Sequence, residues 1–404
     1  MLTRGEQMLA LRKARMAAAP PILRGGFRPF FFLAAAWAAF AVCAWLGAIL
    51  YGMALPSGFT ALAWHRHEML FGFAGAAIVG FLLTAIPNWT GRLPIAGAPL
   101  GALAALWLAA RAAVWFSGTI GLVSAAILDV GFLLVFAAIA GREVVAAKNR
   151  NVPAIAMVVV LACVDALDYA IALGLPGDET VPSHAAIAVL VVLVSFIGGR
   201  IIPSFTRNWL VKQGFASGLP DQPGRFDIAI IVLTGVALAG WVVFPSEPWT
   251  APVLALAGLA QLARLARWRG WRTWRDPLVL VLHIGYAWIP LGLLLLGASS
   301  AGAAVPPTAA VHALTAGAIA TMILAVMTRA SLGHTGRALR AGPATAAIYA
   351  CVTAGAALRV LTGAGLLDYR VGLELSGGLW ALAFALFAIA YAPVLFQNLK
   401  KKKT

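Results

Sequence analysis

An all-α, polytopic membrane protein of about twelve transmembrane helices is what the sequence predicts, and three observations predict it. Apolar runs long enough to cross roughly 30 Å of hydrocarbon at about 1.5 Å per residue recur along the whole chain. Of its 404 residues 62% are hydrophobic and only 11% charged, with a mean hydropathy of +0.91, whereas about 25% of an ordinary soluble domain is charged. The Lys and Arg residues gather in alternate loops, the positive-inside pattern of membrane topology.

The runs place spans near 27–52, 66–87, 98–117, 119–140, 153–174, 184–203, 226–244, 250–266, 277–298, 308–329, 343–363 and 371–395. Gly and Pro punctuate the turns, as at Pro94, Pro99, Pro176, Pro220, Pro306 and Pro307. Base is carried by Arg4, Arg12, Lys13, Arg15, Arg24 and Arg28 before the first spans, then by Arg92, by Arg142, Lys148 and Arg150, and by Arg207, Lys212 and Arg225. It continues in Arg264 to Arg275, in Arg337 and Arg340, and in Lys400 to Lys403. The intervening loops at 176–180, 245–248 and 298–301 are free of it. Both termini are therefore expected in the cytoplasm of a bacterial-type inner membrane, and the span count is expected to be even. Residues 1–25 read as a basic cytoplasmic segment with no signal-peptide cleavage site, 26–397 as a single transmembrane domain, and 398–404 as a basic cytoplasmic tail.

This placement accounts for the net charge of +16 without nucleic acid. The run Arg267-Trp-Arg-Gly-Trp-Arg-Thr-Trp-Arg275 interleaves base with aromatics, and between two spans it reads as an interfacial belt on the lipid bilayer. Cys43, Cys163 and Cys351 sit alone in apolar runs without CxxC spacing and read as small buried hydrophobes.

An internal repeat runs through the chain. His67, Gly72 and Thr90-Gly-Arg92 recur at an offset of 245 residues as His312, Gly317 and Thr335-Gly-Arg337. A weaker third copy begins at His184 and ends at Thr206-Arg207. Spans two, six and ten thus open with histidine on the outer side and close with a Thr/Arg motif on the inner side. The expectation is three pseudo-repeated four-helix units around internal sites.

Ionisable groups at membrane depth are costly and point to function. His65, His67, Glu68, His184 and His312 begin outer span ends; Arg111, Arg359, Asp165, Asp168 and Glu374 lie near them, and Asp129 is deeper. Imidazole ligates haem iron and copper, so His67 and His312, equivalent in the repeat, form the leading axial pair for a haem b. His65 points roughly 200° away from His67 around the helix and would serve a second haem or a copper, with His184 and His283 as further ligands. Arg111, Arg359 and Arg66 could pair with haem propionates; pairing with Asp165, Asp168 or Glu374 is the alternative. The inner motifs at Asn88–Arg92, Ser204–Asn208 and His334–Arg337 read as structural helix ends or as anion sites.

Gly26-Phe-Arg-Pro-Phe-Phe-Phe32, Trp64-His-Arg-His-Glu-Met-Leu-Phe-Gly-Phe73, Ile86-Pro-Asn-Trp-Thr-Gly-Arg92, the segment Gly198–Trp209 and the segment Met327–Arg337 together resemble the NnrS family over about residues 20–396. The resemblance implies a haem- and copper-containing membrane protein of the bacterial nitric oxide response, tied to denitrification and protection from nitrosative stress, with nitric oxide as its small-molecule ligand. The architecture also resembles the haem–copper oxidase catalytic subunit. The chain departs from that pattern: span seven has no adjacent His-His pair and span six no His-x-x-x-Tyr. The alternative reading is a cofactor-free, proton-coupled transporter using Asp129, Asp165, Asp168 and Glu374.

Overall fold

Each apolar run becomes a helix, because a chain without water around it must satisfy its backbone polar groups within the segment. The structure, a computed structural model, describes residues 17–398 and the single positions Ala10 and Ala14. Arg4, Arg12, Lys13 and Arg15 of the basic segment and Lys400 to Lys403 of the tail lie outside the described residues.

Among the described residues the fold is all-α, with thirteen helices. In chain order they are α1 (Phe27–Tyr51), α2 (Ala61–Thr90), α3 (Ala98–Trp115), a single turn at Ser117–Ile120, α4 (Leu122–Ala146), α5 (Val152–Ala172) and α6 (Val181–Lys212). There follow α7 (Arg225–Val243), α8 (Thr250–Arg267), α9 (Pro277–Ser300), α10 (Pro307–His334), α11 (Pro343–Gly363) and α12 (Tyr369–Phe396). Local sequence sets the starts. Thr60, Asp276 and Asp368 cap α2, α9 and α12 by accepting from backbone N–H groups of the first turn. Proline opens α3, α5, α6, α9, α10 and α11, where its missing N–H costs nothing.

Among the described residues eleven helices are long and apolar enough to cross a membrane, and of α1 to α12 it is α8 that falls short. Its average is lowered by Gln261, Arg264 and Arg267. Gln261 and Arg264 are buried, while Leu256, Leu259 and Leu262 are about half exposed, so the polar stripe faces protein and the leucines face out. Arg264 donates to Asp227 at 2.8 Å, to Tyr286 Oη at 2.8 Å and to Ser195 Oγ at 2.9 Å. Gly199 makes room for it, since a β-carbon there would collide with the guanidinium. Sequence reading counted Arg264 among the loop bases; it is instead the centre of a buried network.

The repeat is visible in backbone detail. Both α2 and α10 break into a π-helical segment directly after the repeated histidine, at Glu68–Phe73 and Ala313–Ile319. Thr90 and Thr335 each donate from Oγ1 to the carbonyl four residues back, Ile86 and Ser331. Gly91 and Gly336 then take the left-handed conformation, with φ of 68° and 72°, that ends each helix. Such a π-segment adds a residue to a turn and often marks a functional position.

The helices form a ring in which α12 closes against α1, and α2, α6 and α10 touch one another pairwise inside it. Burial follows this order: 78% of the apolar window of α2 and 67% of that of α10 is buried, against 33% in α4 and α11 at the periphery. Exposed Ile127, Ile228 and Ile389 look outward, as residues in contact with lipid do, and so do Cys43 and Cys163, which were expected to be buried. Trp271 and Trp274 of the Trp/Arg belt are also exposed, and Arg275 lies over the Trp274 ring at 4.7 Å.

Candidate functional site

At the histidine-bearing end of α2, α6 and α10 the bundle encloses a cavity of about 480 Å³. That is within the roughly 300–1,000 Å³ of sites that hold a cofactor or drug-sized molecule. His65, Arg66, His184, His312 and Arg359 line it, among aliphatic and aromatic side chains.

The polar groups there differ in what they touch. His65 lies flat on Trp45, with ring centroids 4.1 Å apart and planes 18° from parallel, and its Nδ1 is buried without a partner. His312 Nδ1 stands 2.7 Å from the Thr308 carbonyl. A carbonyl only accepts, so Nδ1 carries the proton and Nε2 keeps the lone pair, the arrangement typical of metal-ligating histidines. Arg359 Nη1 is buried without an acceptor. His184 packs on Trp241 at 4.2 Å.

On the other side of α2 lies a sealed charged cluster. His67 Nδ1 is 2.8 Å from Asp168 Oδ2, and Nε2 is 2.8 Å from Asp129 Oδ2. Arg111 donates to Glu68 Oε2 at 2.5 Å and to Asp129. Trp37 Nε1 donates to the same Glu68 oxygen at 2.6 Å, and Tyr169 Oη to Asp129 Oδ2 at 3.2 Å. Gly72 gives Glu68 and Arg111 their space, because a β-carbon there would collide with both. Asp165 is fully buried, lies 3.9 Å from His67 Nδ1, and has no hydrogen-bond partner at either oxygen.

Charge and geometry leave room for a cation. An imidazole facing carboxylate oxygens at both nitrogens satisfies both only as imidazolium, or with a metal ion in place of a proton. His67, Asp129 and Asp165 each offer one ligand atom, all within 4.8 Å of one another. This buried group could bind a metal ion, imidazole and carboxylate oxygen both being ordinary ligands of divalent metals.

With both sites described, comparison with known proteins becomes informative. A family profile described as NnrS protein matches residues 21–398. The chain belongs to the NnrS family. No curated protein matches it.

In this NnrS-family chain the expected ligands divide between the two sites. His65, His184, His312 and Arg359 share the large cavity, and Arg66 joins them. His67 and Arg111 do not line it. His67 is engaged by Asp129 and Asp168, and Arg111 by Glu68 and Asp129. Equivalence in the repeat relates His67 to His312 in sequence without bringing them to one cavity; the opposite face of α2 presents His65 instead. His283 is near the other, basic end, where Thr206 Oγ1 lies 2.8 Å from its Nε2. Glu374 is separate from the buried carboxylates and bonds to Tyr51 and Arg370.

Sequence reading missed Trp45, Trp37 and Tyr169. Tyr169 was findable: Asp165, Asp168 and Tyr169 fall three and four residues apart, on one helical face. The two tryptophans carried no local signal, since an indole in an apolar span is ordinary.

Proposed function

We propose that this NnrS-family protein binds haem b in the cavity between α2 and α10, where His65 and His312 would hold its iron, and serves the bacterial nitric oxide response. The observation that carries the reading is the pairing, in one cavity, of an unpartnered imidazole with another whose tautomer leaves Nε2 free. Arg359 and Arg66 would hold the propionates, and Trp45 and Trp380 would wall the ring from water. When bound, haem supplies an iron with affinity for nitric oxide. The protein's own residues orient the ligand imidazoles, exclude solvent and balance charge.

The His67–Asp129–Asp165 group is our proposed copper site, supported by its donor set and the unpartnered Asp165. His184 lines the haem cavity as a candidate alternative ligand. We read the basic end as cytoplasmic, α8 as a twelfth span, and α2, α6 and α10 as the equivalent members of three four-helix units.

Protein purified in detergent from haem-replete cells tests this. A Soret band, with iron and copper in the preparation, is expected. A band-free, iron-free wild type would overturn the haem reading, and carboxylate-dependent uptake by such protein would favour a transporter.

A further inference from the structure

The large cavity is one of three that follow one another along the axis enclosed by α2, α6 and α10. A second, of about 70 Å³, shares Ile319 with it. A third, of about 220 Å³ near the basic end, shares Phe31, Phe81, Ile197 and Ile201 with the second. On α2, Phe73 lines the first cavity, Ala77 the second and Thr84 the third. On α6 the sequence is Ile187, Val194 and Ile201, and on α10 it is Ala316, Ile323 and Ala330, each seven residues on from the last. Residues three and four apart lie one above another on a helix face, so the cavities succeed each other on one continuous face of each helix.

We infer that these cavities form a conduit that carries a small, uncharged, apolar gas between the basic end of the bundle and the His65/His312 cavity. The purpose rests on the haem reading above; the conduit itself does not. Three features select the cargo. The middle cavity has no polar lining side chain, so nothing in it replaces the hydration shell of an ion. Apolar cavities of this kind stay dry yet accept xenon, and 70 Å³ exceeds the roughly 30 Å³ share of one water molecule. A dry segment also interrupts any chain of waters, so protons do not follow the gas. The third cavity, with Thr84, Asn88, Arg200 and His334, is by contrast polar enough to hold water and serve as a mouth.

Xenon tests the conduit without haem. Crystals of the full chain under xenon pressure should show the gas in the middle cavity, between Ala77, Leu193 and Val326. Val326→Trp should abolish that peak, and Val326→Phe, a milder filling, should weaken it if the tryptophan variant does not fold. An empty wild-type cavity would overturn the proposal. In haem-loaded protein, carbon monoxide rebinding after photolysis should slow at least about tenfold in the filled variant while the Soret band stays unchanged. Unchanged rebinding would mean lateral entry from lipid and would also overturn it. A wild type that takes up xenon but shows no Soret band would sink the haem reading and leave the conduit standing.

Discussion

His65 and His67, two residues apart on α2, occupy unlike surroundings: one lies on Trp45 with an unpartnered nitrogen beside a large cavity, the other is held at both nitrogens by Asp168 and Asp129. A rotation of roughly 200° separates them on a helix, enough to put them on opposite faces. The two imidazoles therefore have separate duties, which substitution can tell apart.

His65→Ala and His312→Ala should each remove most of the Soret absorbance of purified protein, while His67→Ala should keep most of it. The distinction follows from cavity lining, since His65 and His312 face the space and His67 does not. Spectra normalised to protein check it. Retained absorbance in His65→Ala with loss in His67→Ala would reverse the assignment.

Asp165→Asn should lower non-haem metal content at constant haem. Its carboxylate is buried without a hydrogen bond, the observation on which the proposed cation site rests. The asparagine is nearly the same size, so packing is retained. Elemental analysis after dialysis reads the result; equal metal in variant and wild type would count against the site.

Arg111→Ala should destabilise the protein by about 3–5 kcal/mol, the usual cost of leaving a buried charge without its partner. Here two carboxylates, Glu68 and Asp129, lose their guanidinium at once, Glu68 keeping Trp37 and Asp129 keeping His67 and Tyr169. Gly72→Ala should act in the same direction, because its methyl enters the space of the same pair. Thermal unfolding in detergent measures both, and a melting midpoint at the wild-type value in either variant would contradict the packing described.

The helices were legible in the sequence because their signal is averaged over twenty residues. The expected span 343–363 is α11 to the residue, and 98–117 meets α3 within two. The repeat was legible too, because glycine and threonine at helix ends have local structural uses that leave identical motifs. What faced what was not legible. His67 was paired with His312 on the strength of repeat equivalence, which says nothing about rotation about the helix axis. Arg264 illustrates the same gap: charge counting near a span end cannot separate a loop base from one turned inward to Asp227.

The standing of α8 as a membrane span can be decided by labelling. Mean hydropathy alone would leave it out, yet its polar residues are satisfied by α6, α7 and α9 while Leu256, Leu259 and Leu262 face outward. A helix so arranged offers lipid an apolar surface, which is the physical requirement, whatever its average. If α8 crosses, the loops on its two sides lie on opposite faces. With Cys43, Cys163 and Cys351 replaced by alanine, Ser246→Cys before α8 should react with an impermeant maleimide from the periplasmic side. Trp271→Cys after it should react only once the inner membrane is opened. Both sites are exposed, so lack of reaction cannot be ascribed to burial. Reaction of both from the same side would leave α8 lying along the interface and make the number of spans odd.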